Sequence, residues 1–107
     1  VPGRWGSSEA HYQAVEALLQ ARGAPASAVV MVNNPPGYHL VSGRPAIAVP
    51  YGSPESLLEA ARRYGAPYLI LEPNYRGGPL DVLYRRPPPA LHLLGQVDDT
   101  LVFHIAP

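Results

Sequence analysis

Three short runs of apolar residues, each followed by polar or structure-breaking residues, dominate the hydrophobic pattern of the chain. They are Ala28–Val32, Ala46–Val49 and Tyr68–Leu71. Runs of four or five residues are too short for a helix, and continuous hydrophobicity is typical of strands covered on both faces. The pattern therefore predicts three buried strands of a parallel sheet.

Segments with helical periodicity precede and separate these runs. One apolar stripe is made by Tyr12, Val15, Leu18 and Leu19. Ser8 suits the N-cap of this helix, so residues 1–7 are expected to form a lead-in, and Glu16 lies off the stripe. Ser53, followed by Pro54 and an acidic residue, marks the start of a second helix. Shorter helical turns are expected within residues 38–43 and 80–84.

The last part of the chain has a different pattern. Residues 91–97 and 100–105 resemble two strands separated by two aspartates, which is typical of a β-hairpin. We therefore expect a single α/β domain over residues 1–107, built as a three-layer sandwich. Its sheet should be mostly parallel, with central strand order 2-1-3 and the hairpin at one edge. The residues expected to be nearly buried are Leu18, Val30, Val32, Leu58, Leu69 and Leu71.

Composition narrows the possible functions. A chain of 107 residues with 47% hydrophobic residues can bury a core, and its net charge of zero argues against nucleic-acid binding. Cysteine is absent, and the four histidines have no metal-ligand spacing, so we expect neither a metal nor a cofactor. No apolar run is long enough to span a bilayer. The chain begins at Val1, and we expect it to be part of a longer protein.

Polar side chains cluster where the predicted strands end. Ligands of open α/β sheets bind beyond the carboxyl ends of the strands, so this rim is the candidate site. The candidate ligand-binding residues are Asn33, Asn34, Tyr38, His39, Arg44, Glu72, Asn74 and Arg76. Glu72 would repel an anion, so a neutral sugar fits better than a bare phosphate. Alternatively, the Asn and Pro residues only terminate strands and Glu72 pairs with an arginine.

Three phrases of the sequence carry a family resemblance. They are Val30–Tyr38 (VMVNNPPGY), Ser42–Pro50 (SGRPAIAVP) and Arg63–Glu72 (RYGAPYLILE). Together they resemble the soluble C-terminal domain of bacterial multi-spanning membrane glycosyltransferases. These enzymes use polyprenyl-phosphate sugars and are related to protein O-mannosyltransferases and aminoarabinose transferases.

The resemblance implies a non-catalytic accessory domain on the extracytoplasmic face of the cell membrane. The catalytic acid of that family lies between membrane helices, so no catalytic residue is carried over to this chain. The implied partners are the transmembrane domain of the same polypeptide and a sugar or lipid-linked sugar. The alternative is a free-standing small α/β enzyme or ligand-binding module that uses the Asn33 and Glu72 rim.

Overall fold

Helices and strands alternate along most of the chain. The computed structural model describes residues 2–107, with side chains described from residue 9 onward. The helices are α1 (Pro2–Ala21), α2 (Pro35–Ser42), α3 (Pro54–Tyr64) and α4 (Val82–Arg85). The strands are β1 (Val30–Val32), β2 (Ala46–Ala48), β3 (Tyr68–Leu71), β4 (Leu91–Val97) and β5 (Thr100–Ile105). A short 3-10 turn, Pro73–Tyr75, follows β3.

The strands form one five-stranded sheet in the order β2-β1-β3-β5-β4. The expected central order 2-1-3 and the hairpin at one edge are confirmed, and β1 is parallel to both β2 and β3. The expectation of a mostly parallel sheet is wrong. The β3–β5 and β5–β4 pairs are antiparallel and contain longer strands than the β1–β2 pair. A two-residue connection joins only antiparallel neighbours, so the hairpin that docks on β3 brings two antiparallel pairs into the sheet.

Helices cover both faces of the sheet, which confirms the three-layer architecture. Val30 and Val32 point to the face covered by α1 and α2, whereas Met31 points to the face covered by α3 and α4. The buried residues of the first face include Val15, Leu19, Tyr38, Tyr68, Ile70 and Val102. Those of the second face include Leu57, Ala61, Leu69, Leu71, Leu83 and Phe103.

Most of the core residues expected from the sequence are buried. Val30, Val32, Leu69 and Leu71 are fully buried, as expected for strands enclosed between helices. Leu18 and Leu58 are only half-buried, because the neighbouring Leu19 and Leu57 occupy the innermost positions of their helices. The predicted apolar stripe of α1 is confirmed by the burial of Tyr12, Val15 and Leu19, whereas the expectation that Leu18 and Leu58 are nearly buried is wrong.

Helix α1 begins earlier than its sequence indicates. The expected start at Ser8 is wrong, since the helix extends from Pro2 to Ala21 and includes residues 2–7 of the expected lead-in; Val1 lies outside the described residues. Proline is favourable in the first turn of a helix, where its missing N–H has no intrahelical partner. Gly3 and Gly6 each weaken a helix by only about 1 kcal/mol relative to alanine, so they do not stop it. Within the described residues, no helix combines the length and the hydrophobicity needed to cross a membrane.

Candidate functional site

The carboxyl ends of β1 and β3 bring polar side chains to one edge of the sheet. Because the two strands are adjacent and parallel, Asn33 and Asn34 leave β1 beside Glu72, which leaves β3. With two residues of α1 they line an open cavity of about 260 Å³. We call it the edge cavity, and its lining residues are His11, Tyr12, Asn33, Asn34 and Glu72. The sequence-based expectation that Asn33, Asn34 and Glu72 lie together is confirmed.

Hydrogen bonds fix three of the side chains that line the edge cavity. The Tyr12 hydroxyl donates to Oε1 of Glu72 at 3.1 Å. Asn34 Oδ1 accepts from the backbone N–H of Gly37 at 3.2 Å and so caps α2. Asn33 Oδ1 accepts from the Tyr75 hydroxyl at 3.0 Å. Each contact determines how the side chain is oriented.

Several polar atoms of these side chains remain free to bind a ligand. Among the described residues, none hydrogen-bonds to Nδ2 of Asn33, Nδ2 of Asn34 or Oε2 of Glu72. The pKa of Tyr12 is raised, first by burial and then by the charge of Glu72, so its hydroxyl stays protonated and donating. The edge cavity therefore offers two amide donors and one carboxylate acceptor.

His11 connects the edge cavity to the hairpin. Its Nε2 lies 2.9 Å from Oγ1 of Thr100, and its Nδ1 lies 3.6 Å from a carboxylate oxygen of Asp98. A hydroxyl, an imidazole and a carboxylate in this order resemble a hydrolytic triad. However, Thr100 is only 1% exposed, so its hydroxyl is closed to a substrate. The contact holds the hairpin turn against α1.

A second, smaller cleft lies beside the edge cavity. It encloses about 150 Å³ between the exit of β2 and the turn after β3. Its lining residues include Tyr51, Gly52, Asn74, Tyr75 and Arg76. Two of the candidate residues, Asn74 and Arg76, therefore lie in this cleft rather than in the edge cavity. The guanidinium of Arg76 stacks over the Tyr84 ring, with its carbon 4.3 Å from the ring centroid.

The expectation that Tyr38 and Arg44 reach the rim is wrong. Both side chains are buried, at 0% and 1% exposure, in a cluster around Glu16 of α1. Arg44 donates from Nε and Nη2 to the two carboxylate oxygens of Glu16, at 2.9 and 2.7 Å. The Tyr38 hydroxyl donates to Glu16 Oε1 at 2.7 Å. We call Glu16, Tyr38 and Arg44 the buried network.

The buried network links α1 to the segments before β1 and β2. Arg44 Nη1 donates to the carbonyl oxygens of Pro25 and Ala28. Burial acts to raise the pKa of Glu16, but the hydrogen bonds from Arg44, Gln20 and Tyr38 outweigh it, so the pKa is lowered. Correspondingly, the hydrogen bond to Glu16 raises the pKa of Arg44. Both groups are charged, and their polar atoms are satisfied within the protein.

His39 lies beside the buried network and is exposed. Its Nδ1 is 2.9 Å from the carbonyl oxygen of Arg44, and it is absent from the lining of the edge cavity and of the adjacent cleft among the described residues. The expectation that His39 reaches the rim is therefore wrong as well. A loop position in the sequence does not show which side of a short helix a side chain occupies.

Sequence reasoning missed His11 and Tyr12 as lining residues. Tyr12 was assigned to the apolar stripe of α1, and 8% exposure agrees with that assignment. Its hydroxyl nevertheless reaches the edge cavity, because a tyrosine has an apolar ring and a polar tip. The amphipathic character of tyrosine was the only available signal, since the packing of α1 against the exit of β3 is not encoded locally.

The lining of the edge cavity provides few ionisable groups. Of the described residues, only Glu72 contributes a carboxylate to the edge cavity. The described residues contain no group of three His, Cys, Asp or Glu side chains able to hold a metal ion.

Comparisons with protein-family models, with curated proteins and with solved structures give no match to this chain.

Proposed function

We propose that this chain is a non-catalytic extracytoplasmic accessory domain of a membrane glycosyltransferase that uses polyprenyl-phosphate sugars. Its role is to present the rim of the sheet to the acceptor, to the lipid-linked sugar or to the transmembrane domain of the same polypeptide. The observation that carries the proposal is the edge cavity, where Asn33, Asn34 and Glu72 keep polar atoms uncommitted at a ligand-accessible sheet edge.

The positions of the three family-like phrases support the proposal. Val30–Tyr38 contains β1 and its exit, Ser42–Pro50 contains β2, and Arg63–Glu72 ends at the exit of β3. The phrases thus coincide with the adjacent parallel strands and with their carboxyl ends. They contain Asn33, Asn34 and Glu72 of the edge cavity and Tyr38 and Arg44 of the buried network, while the remaining residues of both clusters lie on α1.

The number of carboxylates argues against a two-carboxylate glycoside hydrolase at the edge cavity. Most enzymes that hydrolyse a glycosidic bond place two carboxyl groups on either side of it, roughly 5–10 Å apart. Glu72 is the single carboxylate among the described residues that line the edge cavity, and its Oε1 already accepts from Tyr12. The resemblance assigns the catalytic acid to the membrane part of the parent protein.

The complete reading frame tests the domain assignment. We expect several apolar segments of about 20 residues upstream of Val1, each long enough to span a bilayer. A tag at Pro107 in intact cells should then be accessible from the extracytoplasmic side. A reading frame that starts directly before Val1 and encodes no such segment would contradict the assignment.

An assay of the 107-residue chain tests the non-catalytic role. The chain is incubated with a radiolabelled polyprenyl-phosphate mannose and a hydroxyl acceptor, and the water-soluble label is counted. We expect no release or transfer above the level seen with Glu72→Gln. Turnover by the unmodified chain that Glu72→Gln abolishes would instead identify an enzyme that uses Glu72.

A free-standing ligand-binding module is the second candidate. It is favoured by one observation: the five residues that line the edge cavity come from this chain alone. A start codon adjacent to Val1, together with ligand binding by the isolated chain, would favour this module over the accessory domain.

A further inference from the structure

We infer that the edge cavity is a binding site for one neutral sugar ring. Glu72 and the two asparagines bind the ring through hydrogen bonds to neighbouring hydroxyl groups. The inference rests on the proposed function for the source of the sugar, which is a saccharide handled by the parent enzyme. It goes further in naming the class of ligand and the atoms that hold it.

The donors and acceptors of the edge cavity match a pair of sugar hydroxyls. Each hydroxyl both donates and accepts, so it needs an acceptor and a donor nearby. Glu72 Oε2 supplies the acceptor, and the Nδ2 atoms of Asn33 and Asn34 supply the donors. A hydroxyl that donates to the carboxylate while accepting from an amide makes a charge-assisted hydrogen bond, which is stronger than a neutral one.

These side chains are oriented before a ligand arrives. The Gly37 N–H holds Asn34 Oδ1, the Tyr75 hydroxyl holds Asn33 Oδ1, and the Tyr12 hydroxyl holds Glu72 Oε1. In each side chain the opposite atom has no hydrogen-bond partner among the described residues; Nδ2 of Asn34 lies beside Gly37 at the start of α2. Binding therefore immobilises few additional rotamers, and this reduces its entropic cost.

Electrostatics favour a neutral ligand over a phosphate. No arginine lines the edge cavity among the described residues, and Glu72 contributes a negative charge. Arg44 is neutralised by Glu16 inside the protein, and Arg76 belongs to the adjacent cleft. An anion in the edge cavity would thus meet a carboxylate without a compensating cation.

The size of the edge cavity favours a single ring. Its volume of about 260 Å³ lies just below the roughly 300–1,000 Å³ of pockets for drug-sized ligands. On the α1 side the cavity is bounded by His11 and by the hydroxyl of Tyr12, whose ring is buried in the core.

An NMR titration of the ¹⁵N-labelled 107-residue chain tests the inference. The probes are methyl α-D-mannopyranoside, methyl α-D-glucopyranoside, glucosamine and inorganic phosphate. We expect at least one methyl glycoside to shift the side-chain amide signals of Asn33 and Asn34 and the backbone signals around Glu72. Phosphate should leave these signals in place.

Two variants remove one hydrogen-bonding atom each without removing the contact that orients the side chain. Glu72→Gln keeps an oxygen for Tyr12 but replaces the acceptor Oε2 by a donor. Asn34→Ser keeps a good N-cap for α2 but removes the amide donor. Each should weaken glycoside binding by about tenfold. The matched control is Glu59→Gln, which removes an exposed carboxylate of α3 and should leave binding unchanged.

Four results would overturn the inference. The first is the absence of any signal shift with either glycoside up to about 50 mM. The second is a set of shifts confined to the Tyr51 and Asn74 cleft, and the third is preferential binding of glucosamine or phosphate in the edge cavity. The fourth is undiminished affinity in folded Glu72→Gln and Asn34→Ser proteins.

The reading-frame test is independent of these results. Glycoside binding by a chain without upstream spans would refute the accessory-domain proposal alone, whereas failed binding with such spans would refute the sugar site alone.

Discussion

The buried network and the edge cavity are two polar clusters that contain similar side chains but have different roles. Each contains a glutamate that accepts a hydrogen bond from a tyrosine hydroxyl: Tyr38 donates to Glu16, and Tyr12 donates to Glu72. In the buried network, Arg44 engages both carboxylate oxygens of Glu16. In the edge cavity, no described side chain occupies the second carboxylate oxygen of Glu72.

This difference in hydrogen bonding indicates which of the two clusters has polar atoms left for a ligand. Every buried side-chain nitrogen and oxygen of the described residues has a hydrogen-bond partner. The buried network therefore has no unpaired polar atom for a ligand. Its role is to hold α1 against the chain segments before β1 and β2. The edge cavity is less completely paired, and its residues Asn33 and Asn34 are exposed. We therefore expect mutations in the first cluster to change stability and mutations in the second to change binding.

The largest effect is expected from removing the charge of Arg44. Arg44→Met leaves the Glu16 carboxylate buried without its cation, which should lower the free energy of unfolding by about 3–5 kcal/mol. Urea denaturation measures the loss. The control is Arg22→Met at an exposed position, for which we expect a change within about 0.5 kcal/mol. Equal losses in the two variants would show that Arg44 does not stabilise the fold through its pairing.

Acid should weaken the buried network in a predictable direction. Because the pKa of Glu16 is lowered in the folded protein, its ionised form stabilises the fold. That contribution is complete above the unfolded pKa of about 4.3 and is lost as the pH falls through the folded pKa. Urea midpoints measured between neutral pH and pH 3 should fall more steeply for the unmodified protein than for Glu16→Gln. Parallel pH profiles would contradict the pairing.

Matched tyrosine variants compare a hydroxyl of the buried network with the exposed hydroxyl that orients Asn33 of the edge cavity. Tyr38→Phe removes a buried hydroxyl that donates to Glu16, and should destabilise the protein by about 1–3 kcal/mol. Tyr75→Phe removes a hydroxyl whose contact with Asn33 is exposed, so its effect should stay within about 0.5 kcal/mol. Thermal or urea unfolding of both proteins provides the comparison. A greater loss for Tyr75→Phe would reverse the assignment of the two clusters.

Asn34 has both a structural and a binding role, which substitutions can separate. Asn34→Ala removes the cap of α2 and should cost about 1 kcal/mol in unfolding free energy. Asn34→Ser should recover most of that stability, since serine is also a good N-cap residue. Differential scanning calorimetry of both variants tests the cap. No difference between the two would indicate that the Asn34 side chain does not stabilise α2.

The smallest effect on stability is expected for Glu72. Glu72→Gln keeps an acceptor for Tyr12, and Glu72 is partly exposed, so the free energy of unfolding should change by less than about 0.5 kcal/mol. Urea denaturation beside Glu59→Gln provides the check. A loss above 1 kcal/mol would place Glu72 with the buried network as a stabilising residue.

The sequence predicts the parallel half of the fold well because its signals are local. Apolar runs, helix caps and proline or glycine stops identify β1, β2 and β3 and helix α3, whereas α2 begins at Pro35 and not within the expected residues 38–43, because the two prolines occupy its first turn. The position of the hairpin was also predicted, but its effect on the balance of parallel and antiparallel pairs was not. The start of α1 could not be placed, since Ser8 suits an N-cap while Pro2 permits an earlier beginning.

The candidate site was predicted in part. Asn33, Asn34 and Glu72 meet because strand direction brings residues at strand ends together, and a sequence pattern can indicate that direction. Arg44 was misplaced because an arginine in a loop is normally exposed. Its burial depends on Glu16, which is 28 residues earlier in the chain and lies off the predicted apolar stripe of α1. Pairings over such distances depend on tertiary packing, which periodicity does not show.

The separation of stability from binding is tested most directly by titrating three proteins with methyl α-D-mannopyranoside and with methyl α-D-glucopyranoside. The proteins are the unmodified chain, Tyr38→Phe and Glu72→Gln, and binding is followed by NMR at a temperature where all three are folded. We predict that Tyr38→Phe binds the preferred glycoside with unchanged affinity despite its lower stability, whereas Glu72→Gln is fully stable and binds about tenfold more weakly. Equal affinities in the three proteins, or no binding by any of them, would contradict the assignment of the edge cavity as the binding site.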